Sequence, residues 1–236
     1  MLQIFKKKLQ EWNAARELQK YAPLLAKESE GLNAEQLIEL IYGEKWKRFF
    51  WIKQVRSEIL SLAKLIEKKK PKFLLEIGTA NGGSLFLFTK LAHPEAVIIS
   101  IDLPEGRFGG GYPKFKENFY QSFTTKKQKM ILYRADSHSP DTYEKVKLLL
   151  NQEKLDFLFI DGDHTYQGVK TDFELYSPWV KTNGIIGFHD IAKHPEGWEV
   201  DVDKYWNELK TNYTYQEFID NIQQGWAGIG VIEQNQ

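Results

Sequence analysis

Three ionisable side chains crowd the end of one apolar run in the segment "LDFLFIDGDHTYQGVKTDF" (155–173). Asp161, Asp163 and His164 follow directly after "LDFLFI" (155–160), a run that should be buried. Ionisable groups beside a buried strand are costly to desolvate unless an ion, a ligand or a reaction uses them. Two carboxylates and an imidazole at this place could hold a cation, bind a polar substrate or move a proton.

A glycine-rich turn, "EIGTANGGS" (76–84), follows the first predicted strand. Gly78 permits a tight turn, and Gly82 and Gly83 let the backbone approach a ligand where a helix begins. The turn fits a dinucleotide fingerprint loosely, but the carboxylate of Glu76 would repel a diphosphate. S-adenosylmethionine carries an ammonium and a sulfonium and no phosphate, so the acid favours this methyl donor.

Further acids follow the second and third predicted strands. Asp102 ends the second strand, where a carboxylate can accept both hydroxyls of a ribose. Asp136 follows the third strand near the expected adenine edge, with Ser137 beside it. Each aspartate could instead cap the next helix. Together with Glu76 and Asp161, however, they place carboxylates at the ends of four strands, and these ends share one rim of an open α/β sheet.

Short apolar runs alternate with helical segments from residue 73 onward, which is typical of a parallel sheet between helices. The predicted strands are 73–77, 97–101, 130–134, 155–160 and 184–189. The predicted helices are roughly 83–92, 114–127, 140–152, 166–180 and 199–211. Residues 213–219 and 226–232 should pair as an antiparallel hairpin at the sheet edge. The sequence therefore predicts seven strands.

The first 70 residues are predicted to be helical, with a basic amphipathic helix over 1–27 and further helices over 33–43 and 47–71. We therefore divide the chain into a helical N-terminal extension, 1–70, serving as a cap or a subunit contact, and a cofactor-binding domain, 71–236. Such an extension favours a homo-oligomer.

Composition limits the function classes. The 32 lysines and arginines equal the 32 aspartates and glutamates, which argues against a dedicated nucleic-acid-binding protein. The absence of cysteine excludes disulfides, thiolate metal sites and cysteine nucleophiles and fits a cytoplasmic protein. No apolar stretch approaches the roughly 18 residues of a membrane span.

Several segments together resemble a known family: "FLLEIGTANGGS", "ISIDLPEGRFGGGYP", "ADSHS", "LDFLFIDGDHTYQGVKTDFELYSPWVKTNGIIGFHDI" and "GIGVI". They are similar to class I S-adenosylmethionine-dependent methyltransferases, in the group of macrolide-sugar O-methyltransferases and cephalosporin-hydroxylase-like proteins. The resemblance covers 73 to about 232. It implies a Rossmann-like, mostly parallel seven-stranded α/β sheet with helices on both faces and an antiparallel last strand. It also implies methyl transfer to a hydroxyl of a sugar or a secondary metabolite.

The resemblance also implies a set of cofactor contacts along the rim. These are Glu76, Gly78, Thr79, Ser84, Asp102, Asp136, Ser137 and Asp161. The glycine-rich segment "PEGRFGGGYPKF" (104–115) is long enough to form a lid and presents Arg107, Phe108 and Tyr112.

A divalent cation is a further implication, because related O-methyltransferases hold one with an acid after strand four and two polar residues after strand five. The matching positions are Asp161, His189 and Asp190. His189 departs from the usual pair, since magnesium prefers oxygen ligands, so manganese or iron is an alternative, or no metal with His189 contacting substrate. His164, three residues past Asp161, suits a general base, with Asp163 as the alternative base.

Two other functions stay open on the sequence alone. His164, His189 and one aspartate could form an iron site with two histidines and one carboxylate, as in an oxidoreductase. An accessory subunit that binds S-adenosylmethionine without turnover is the non-enzymatic alternative, but Asp161, His164 and Asp190 argue against it.

Overall fold

The computed structural model describes residues 2–235. For residues 2–4 it describes the backbone only. A seven-stranded sheet forms its centre. The strands are β1 (Phe73–Ile77), β2 (Val97–Ile101), β3 (Lys129–Tyr133), β4 (Leu155–Ile160), β5 (Val180–His189), β6 (Thr214–Phe218) and β7 (Ile229–Glu233). Their order across the sheet is β3-β2-β1-β4-β5-β7-β6. The prediction of a seven-stranded sheet is confirmed.

Strand direction also follows the prediction. The pairs β3–β2, β2–β1, β1–β4 and β4–β5 are parallel, whereas β7 runs antiparallel to both β5 and β6. The β6–β7 hairpin therefore lies at the edge, with β7 inserted between β5 and β6. The parallel strands all end at one rim. The residues predicted to bind the cofactor or a metal, or to act in catalysis, lie at or just after those ends.

Helices cover both faces of the sheet. They are α1 (Leu2–Glu28), α2 (Ala34–Tyr42), α3 (Glu44–Lys47), α4 (Arg56–Lys69), α5 (Gly83–Leu91), α6 (Glu117–Gln121), α7 (Pro140–Leu150), α8 (Tyr166–Tyr176) and α9 (Val202–Leu209). Alternate residues of the central strands belong to two separate cores. In β4, Phe157 and Phe159 pack with α2, α4 and α5, whereas Leu158 and Ile160 pack with α7, α8 and α9.

The helix predicted over 47–71 is shorter than expected, because α4 begins only at Arg56. The preceding turn buries Phe50, whose ring lies 4.8 Å from that of Phe86. Next to it, Trp51 forms a single parallel bridge with Gly82. These tertiary contacts outweigh the helical periodicity of this stretch. The helix predicted over 114–127 is likewise short, with a 3-10 turn at 114–116 before α6.

The N-terminal helices share a continuous core with the sheet. Leu18, Ile38 and Leu62 belong to the same buried cluster as Phe157. The division of the chain at residue 70, and the second copy of the chain expected at the extension, stay predictions. Among residues 2–235, no helix is long and apolar enough to cross a membrane.

Candidate active site

The rim at the carboxyl ends of the parallel strands is lined with ionisable groups. Five neighbouring strands end in or lead directly into Glu76, Asp102, Asp136, Asp161, and the pair His189 and Asp190. Glu76, Asp102, His189 and Asp190 are buried. Groups predicted from separate segments are therefore brought to one edge by the topology.

His164 connects the two central carboxylates. Its Nδ1 lies 2.9 Å from Oδ2 of Asp190, and its Nε2 lies 3.5 Å from Oδ1 of Asp161. Burial would lower the pKa of His164, but hydrogen bonds and charge from Asp161 and Asp190 outweigh it and raise this pKa to about 9. His164 therefore belongs to the acid cluster itself and does not merely flank it.

His189 lies in the same cluster. Its Nδ1 is 3.1 Å from Oδ1 of Asp161 and 3.4 Å from Oδ1 of Asp190. Within the described structure, neither ring nitrogen makes an aligned hydrogen bond, although both are shielded from solvent. Burial opposes the charged imidazole, yet the two carboxylates hold the pKa of His189 well above its usual range. A buried imidazole between two acids without an aligned hydrogen bond is a plain candidate for a metal ligand.

Asp190 has a strained backbone conformation. Its φ is +63°, a left-handed conformation that non-glycine residues rarely adopt. Its Oδ1 accepts a hydrogen bond from the Ala227 backbone N–H at 3.2 Å and lies 3.3 Å from Nε2 of His194. Strain of this kind is concentrated at functional sites. His194 is thus a further member of the cluster.

The donor set fits a divalent cation. One ligand atom from each of Asp161, His164 and Asp190 lies within 4.8 Å of the others. His189 extends this group through its contact with Asp161. Two carboxylates with one or two imidazoles contain more nitrogen than magnesium prefers and suit manganese or iron better.

Asp163 is engaged elsewhere. Its Oδ1 accepts a hydrogen bond from the Thr165 backbone N–H at 2.9 Å, and a Cβ on Gly168 would overlap its carboxyl group. Thr165 in turn caps α8 by accepting from the Gly168 N–H at 3.0 Å. The carboxylate of Asp163 therefore braces the start of α8, and this favours His164 over Asp163 as the base.

The glycine-rich turn packs closely on the acid-bearing strand. Gly78 has φ of +95°, and a Cβ there would overlap the carbonyl oxygen of Asp161. Thr79 contacts Ser100 through their hydroxyls, and Ser100 donates to Oε2 of Glu76 at 3.0 Å. Oε1 of Glu76 is buried and has no partner in the described part of the chain. Burial raises the pKa of Glu76 to about 8.

The unpaired Glu76 oxygen and the crowded glycines fit a cationic ligand held against this turn. Ser84 is buried in the first turn of α5. A ligand ammonium would stabilise the ionised form of Glu76 at modest cost. The turn therefore suits S-adenosylmethionine better than a diphosphate.

The third-strand residues form a local network. Oδ1 of Asp136 accepts from the His138 backbone N–H at 2.9 Å, and the Ser137 carbonyl accepts from the Tyr176 hydroxyl at 2.6 Å. Nε2 of His138 lies 3.3 Å from Oδ1 of the fully buried Asp172. These contacts fix the loop after β3 at the rim.

The segment 104–112 covers the rim. At one end, Oδ2 of Asp102 accepts from the backbone N–H groups of Gly111 at 2.8 Å and Tyr112 at 3.2 Å. In its middle, the ring of Phe108 stacks on His164 with centroids 4.7 Å apart and planes within 7°. Arg107 forms an ion pair with Glu199 on the other side. We call residues 104–112 the lid segment.

Gln54 is a rim residue that no sequence motif pointed to. It comes from the turn before α4, and its Nε2 donates to Oδ2 of Asp161 at 3.3 Å. Its Oε1 is buried without a partner among residues 2–235. A glutamine in an irregular helical region carries no pattern that would have identified it.

A cavity of about 300 Å³ lies away from this rim, where Leu18 of α1 faces Lys114, Phe115 and Asn118. None of the residues predicted for cofactor, metal or catalysis lines it. The rim itself is contacted by the lid segment, through His164 and Asp102, and by Gln54, through Asp161. The chemical groups of the rim, and not this cavity, therefore define the candidate site.

Comparison with known proteins gives related sequences. A family model described as a methyltransferase domain matches residues 75–191. An uncharacterized protein of Sinorhizobium fredii is 26% identical over 160 residues, covering 64% of this chain but only 17% of that protein. An uncharacterized protein of Acanthamoeba polyphaga mimivirus is 29% identical over 161 residues, covering 68% of this chain and 67% of that protein.

Solved structures share the architecture. An O-methyltransferase from Bacillus cereus in complex with S-adenosylhomocysteine (SAH) superposes with a TM-score of 0.56 and 13% identity, covering 92% of this chain and 100% of that chain. The O-methyltransferase TomG from Streptomyces achromogenes, involved in tomaymycin synthesis and bound to S-adenosylmethionine, superposes with a TM-score of 0.55 and 12% identity. The match covers 90% of this chain and 95% of that chain. At these identities the likeness shows a common fold.

Proposed function

The chain belongs to the methyltransferase domain family and has the fold of the class I S-adenosylmethionine-dependent enzymes; on that premise we propose that it methylates a hydroxyl oxygen of a small polar acceptor. The observation that carries the proposal is the contact of His164 with both Asp161 and Asp190 at the end of β4 and β5. A hydroxyl acceptor must lose its proton as it is methylated, and this cluster can receive that proton.

The contacts of His164 indicate which nitrogen takes the proton. The raised pKa of His164, about 9, makes the neutral imidazole a minor species near pH 7; in that form Nδ1–H donates to Asp190 at 2.9 Å, and Nε2 carries the free lone pair. The 3.5 Å separation of Nε2 from Asp161 leaves that lone pair without a strong hydrogen bond. As the acceptor oxygen forms its bond to the methyl carbon, the O–H and C–S bonds break, the proton moves to Nε2, and SAH is released.

We propose that the cofactor contacts are the residues predicted for the rim. They are Glu76, Gly78, Thr79, Ser84, Asp102, Asp136, Ser137 and Asp161. The unpaired oxygen of Glu76 supports a cationic amino-acid end at the glycine-rich turn, and the place of Asp102 after β2 supports a ribose there.

We further propose that Asp161 and Asp190, with His189, hold a divalent cation, which leaves Nε2 of His164 free to act as the base. When bound, such an ion would lower the pKa of the acceptor hydroxyl and would oppose the upward shift in the pKa of His164. The residues themselves orient the acceptor oxygen and exclude water under Phe108. Manganese or iron(II) suits the donor set better than magnesium.

A sugar or glycosylated metabolite is the acceptor class that we propose. Trp198 is exposed beside His194, with ring centroids 5.8 Å apart, and Phe108 covers His164. Aromatic faces next to a reacting hydroxyl suit the apolar face of a saccharide, and the Arg107–Glu199 pair offers polar partners for its hydroxyls.

The test is a transfer assay with methyl-labelled S-adenosylmethionine and a panel of glycosides and phenols. Protein stripped with EDTA and dialysed is compared with the same protein after addition of magnesium, manganese or iron(II). We expect label on a glycoside hydroxyl and restoration by one of the ions. Transfer to no acceptor in any ion, with no SAH formed, would contradict the function. Full activity of rigorously stripped protein would contradict only the proposed role of the cation.

Variants test the base. His164→Ala should reduce turnover by about 10²- to 10⁴-fold, whereas His93→Ala, at the opposite edge of the sheet, serves as the matched control. Asp163→Asn keeps the oxygen that accepts from Thr165 and should retain turnover. If His164→Ala also abolishes metal binding, as measured by metal analysis, its role is that of a ligand. If Asp163→Asn alone is inactive, Asp163 is the base.

An iron-dependent oxidoreductase is a second candidate, supported by the two imidazoles of His164 and His189 beside Asp161. Iron content after anaerobic purification and oxygen consumption with the same acceptor panel test it. Oxygen uptake without formation of SAH would favour this candidate.

A further inference from the structure

Gln54 has an arrangement that requires a ligand to complete it. The side chain is 6% exposed, and its Nε2 donates to Oδ2 of Asp161. Reversing the amide would place its oxygen against a carboxylate oxygen, so the nitrogen must face Asp161. The remaining Oε1 is then a buried acceptor without a donor in the described part of the chain. Buried acceptors are normally satisfied.

The backbone around Gln54 is anchored to the glycine-rich turn. The Tyr42 hydroxyl donates to the Gln54 carbonyl at 2.7 Å. Three residues earlier, Trp51 bridges to Gly82, and a Cβ on Gly83 would overlap the Trp51 backbone. Gln54 therefore lies at a fixed position beside the turn that would hold the amino-acid end of the cofactor.

Asp161 separates two environments. Its Oδ1 faces the imidazoles of His164 and His189, where the acceptor hydroxyl would react. Its Oδ2 faces Gln54, on the side of the glycine-rich turn. Glu76, at the end of the neighbouring strand β1, contributes a second buried oxygen without a donor. Unsatisfied acceptors beside acids call for a positively charged group with several N–H donors, such as a primary ammonium.

We propose that Oε1 of Gln54 accepts a hydrogen bond from the ammonium of the amino-acid part of the methyl donor. Gln54 thereby recognises the cofactor from outside the strand-end motifs, and through its amide nitrogen it also orients Asp161. This assignment rests on the proposed function, because it requires S-adenosylmethionine in the site.

The experiment pairs a change in the protein with a change in the ligand. Calorimetry measures the affinity of wild type and Gln54→Met for SAH and for its desamino analogue, which keeps the carboxylate and lacks the ammonium. Methionine has a similar length and no unpaired oxygen, so the variant should fold. We expect Gln54→Met to weaken SAH binding by about 10-fold and to leave the analogue within about 2-fold.

Each outcome bears on the proposal. Equal weakening of SAH and the analogue would overturn it, because Gln54 would then shape the site without contacting the ammonium. Unchanged SAH binding with a raised KM for the acceptor would also overturn it and assign Oε1 to the acceptor hydroxyl. Tyr42→Phe, which loosens the Gln54 backbone, is the matched control and should affect both ligands alike.

Two further results separate this proposal from the proposed function. A wild-type protein that binds neither SAH nor S-adenosylmethionine refutes the function itself. If Gln54→Met does not fold, the same ligand pair is measured with Gln54→Asn, whose shorter amide cannot reach as far. A selective loss of SAH affinity in that variant supports the contact, and an equal loss for both ligands contradicts it.

Discussion

Replacing Glu76 by glutamine should abolish a proton release that accompanies cofactor binding in the wild type. Burial raises the pKa of Glu76 to about 8, and its Oε1 has no donor in the described structure. At pH 7 a group of this pKa is about 0.9 protonated. An ammonium held beside the carboxyl favours the ionised form, so binding of SAH should expel up to about 0.9 proton per ligand.

The same reasoning gives a pH dependence with a definite sign. Below pH 8 the ligand must displace a proton from Glu76, so its affinity falls as the pH falls. If the pKa in the complex drops well below 6, the affinity of the wild type should decrease by about 50-fold between pH 8 and pH 6. Glutamine carries no proton to displace, so the variant should lack this contribution.

The variant should remain folded. The folded state holds the proton of Glu76 more tightly than the unfolded chain, whose pKa is near the ordinary value of 4.5. Ionisation of Glu76 therefore weakens the folded state as the pH rises from about 4.5 to about 8. Glutamine removes this loss of stability. At pH 8, Glu76→Gln should therefore resist thermal unfolding at least as well as the wild type.

Calorimetry in two buffers of different ionisation enthalpy counts the released protons. Other groups of the rim also titrate, so the informative quantity is the wild-type count minus the count for Glu76→Gln at pH 7. Glu95→Gln, at an exposed position, is the matched control. Equal counts in wild type and Glu76→Gln would refute the assignment of a neutral, buried Glu76 beside the ligand ammonium.

Three further changes have expected outcomes. Asp102→Asn should weaken SAH binding by roughly 1.5–3 kcal/mol through loss of charge-assisted hydrogen bonds, measured by calorimetry; unchanged affinity would contradict the ribose contact. Gly78→Ala should destabilise the fold by more than about 2 kcal/mol, since its Cβ would overlap the Asp161 carbonyl at a positive φ, measured by denaturant unfolding; a stable variant would show that the turn can shift. Phe108→Ala should leave SAH affinity within about 2-fold but raise acceptor KM, since the ring covers His164; a weakened SAH affinity would place Phe108 with the cofactor.

The sheet was predictable because its strands are apolar on both faces. The bounds of β1, β2 and β4 agree with the sequence prediction, since burial between two helical layers leaves an uninterrupted apolar run. Strand β5 begins earlier than the predicted residue 184, at Val180, because the helix predicted to reach residue 180 ends at Tyr176. Asn183 does adopt a left-handed φ of +64°, but the chain around it stays paired in the sheet.

The site was predictable where residues follow strand ends and was not where they come from irregular segments. Asp161, His189 and Asp190 meet because parallel strands finish at one rim. Gln54 and His194 contact the same acids, but their positions depend on how a turn and a loop fold back across the sheet. No periodicity encodes such a contact.

The lid segment links the two ends of the rim mechanically. Its backbone N–H groups occupy Oδ2 of Asp102, and a Cβ on Gly110 would lie 2.8 Å from Oδ1 of the same carboxylate. A ribose bound to both oxygens of Asp102 would therefore have to share that carboxylate with the segment or displace it. The same nine residues carry Phe108 onto His164. Because one short segment makes both contacts, we expect a ribose that displaces it from Asp102 to disturb the cover over His164 as well, which would couple cofactor binding to exposure of the proposed base.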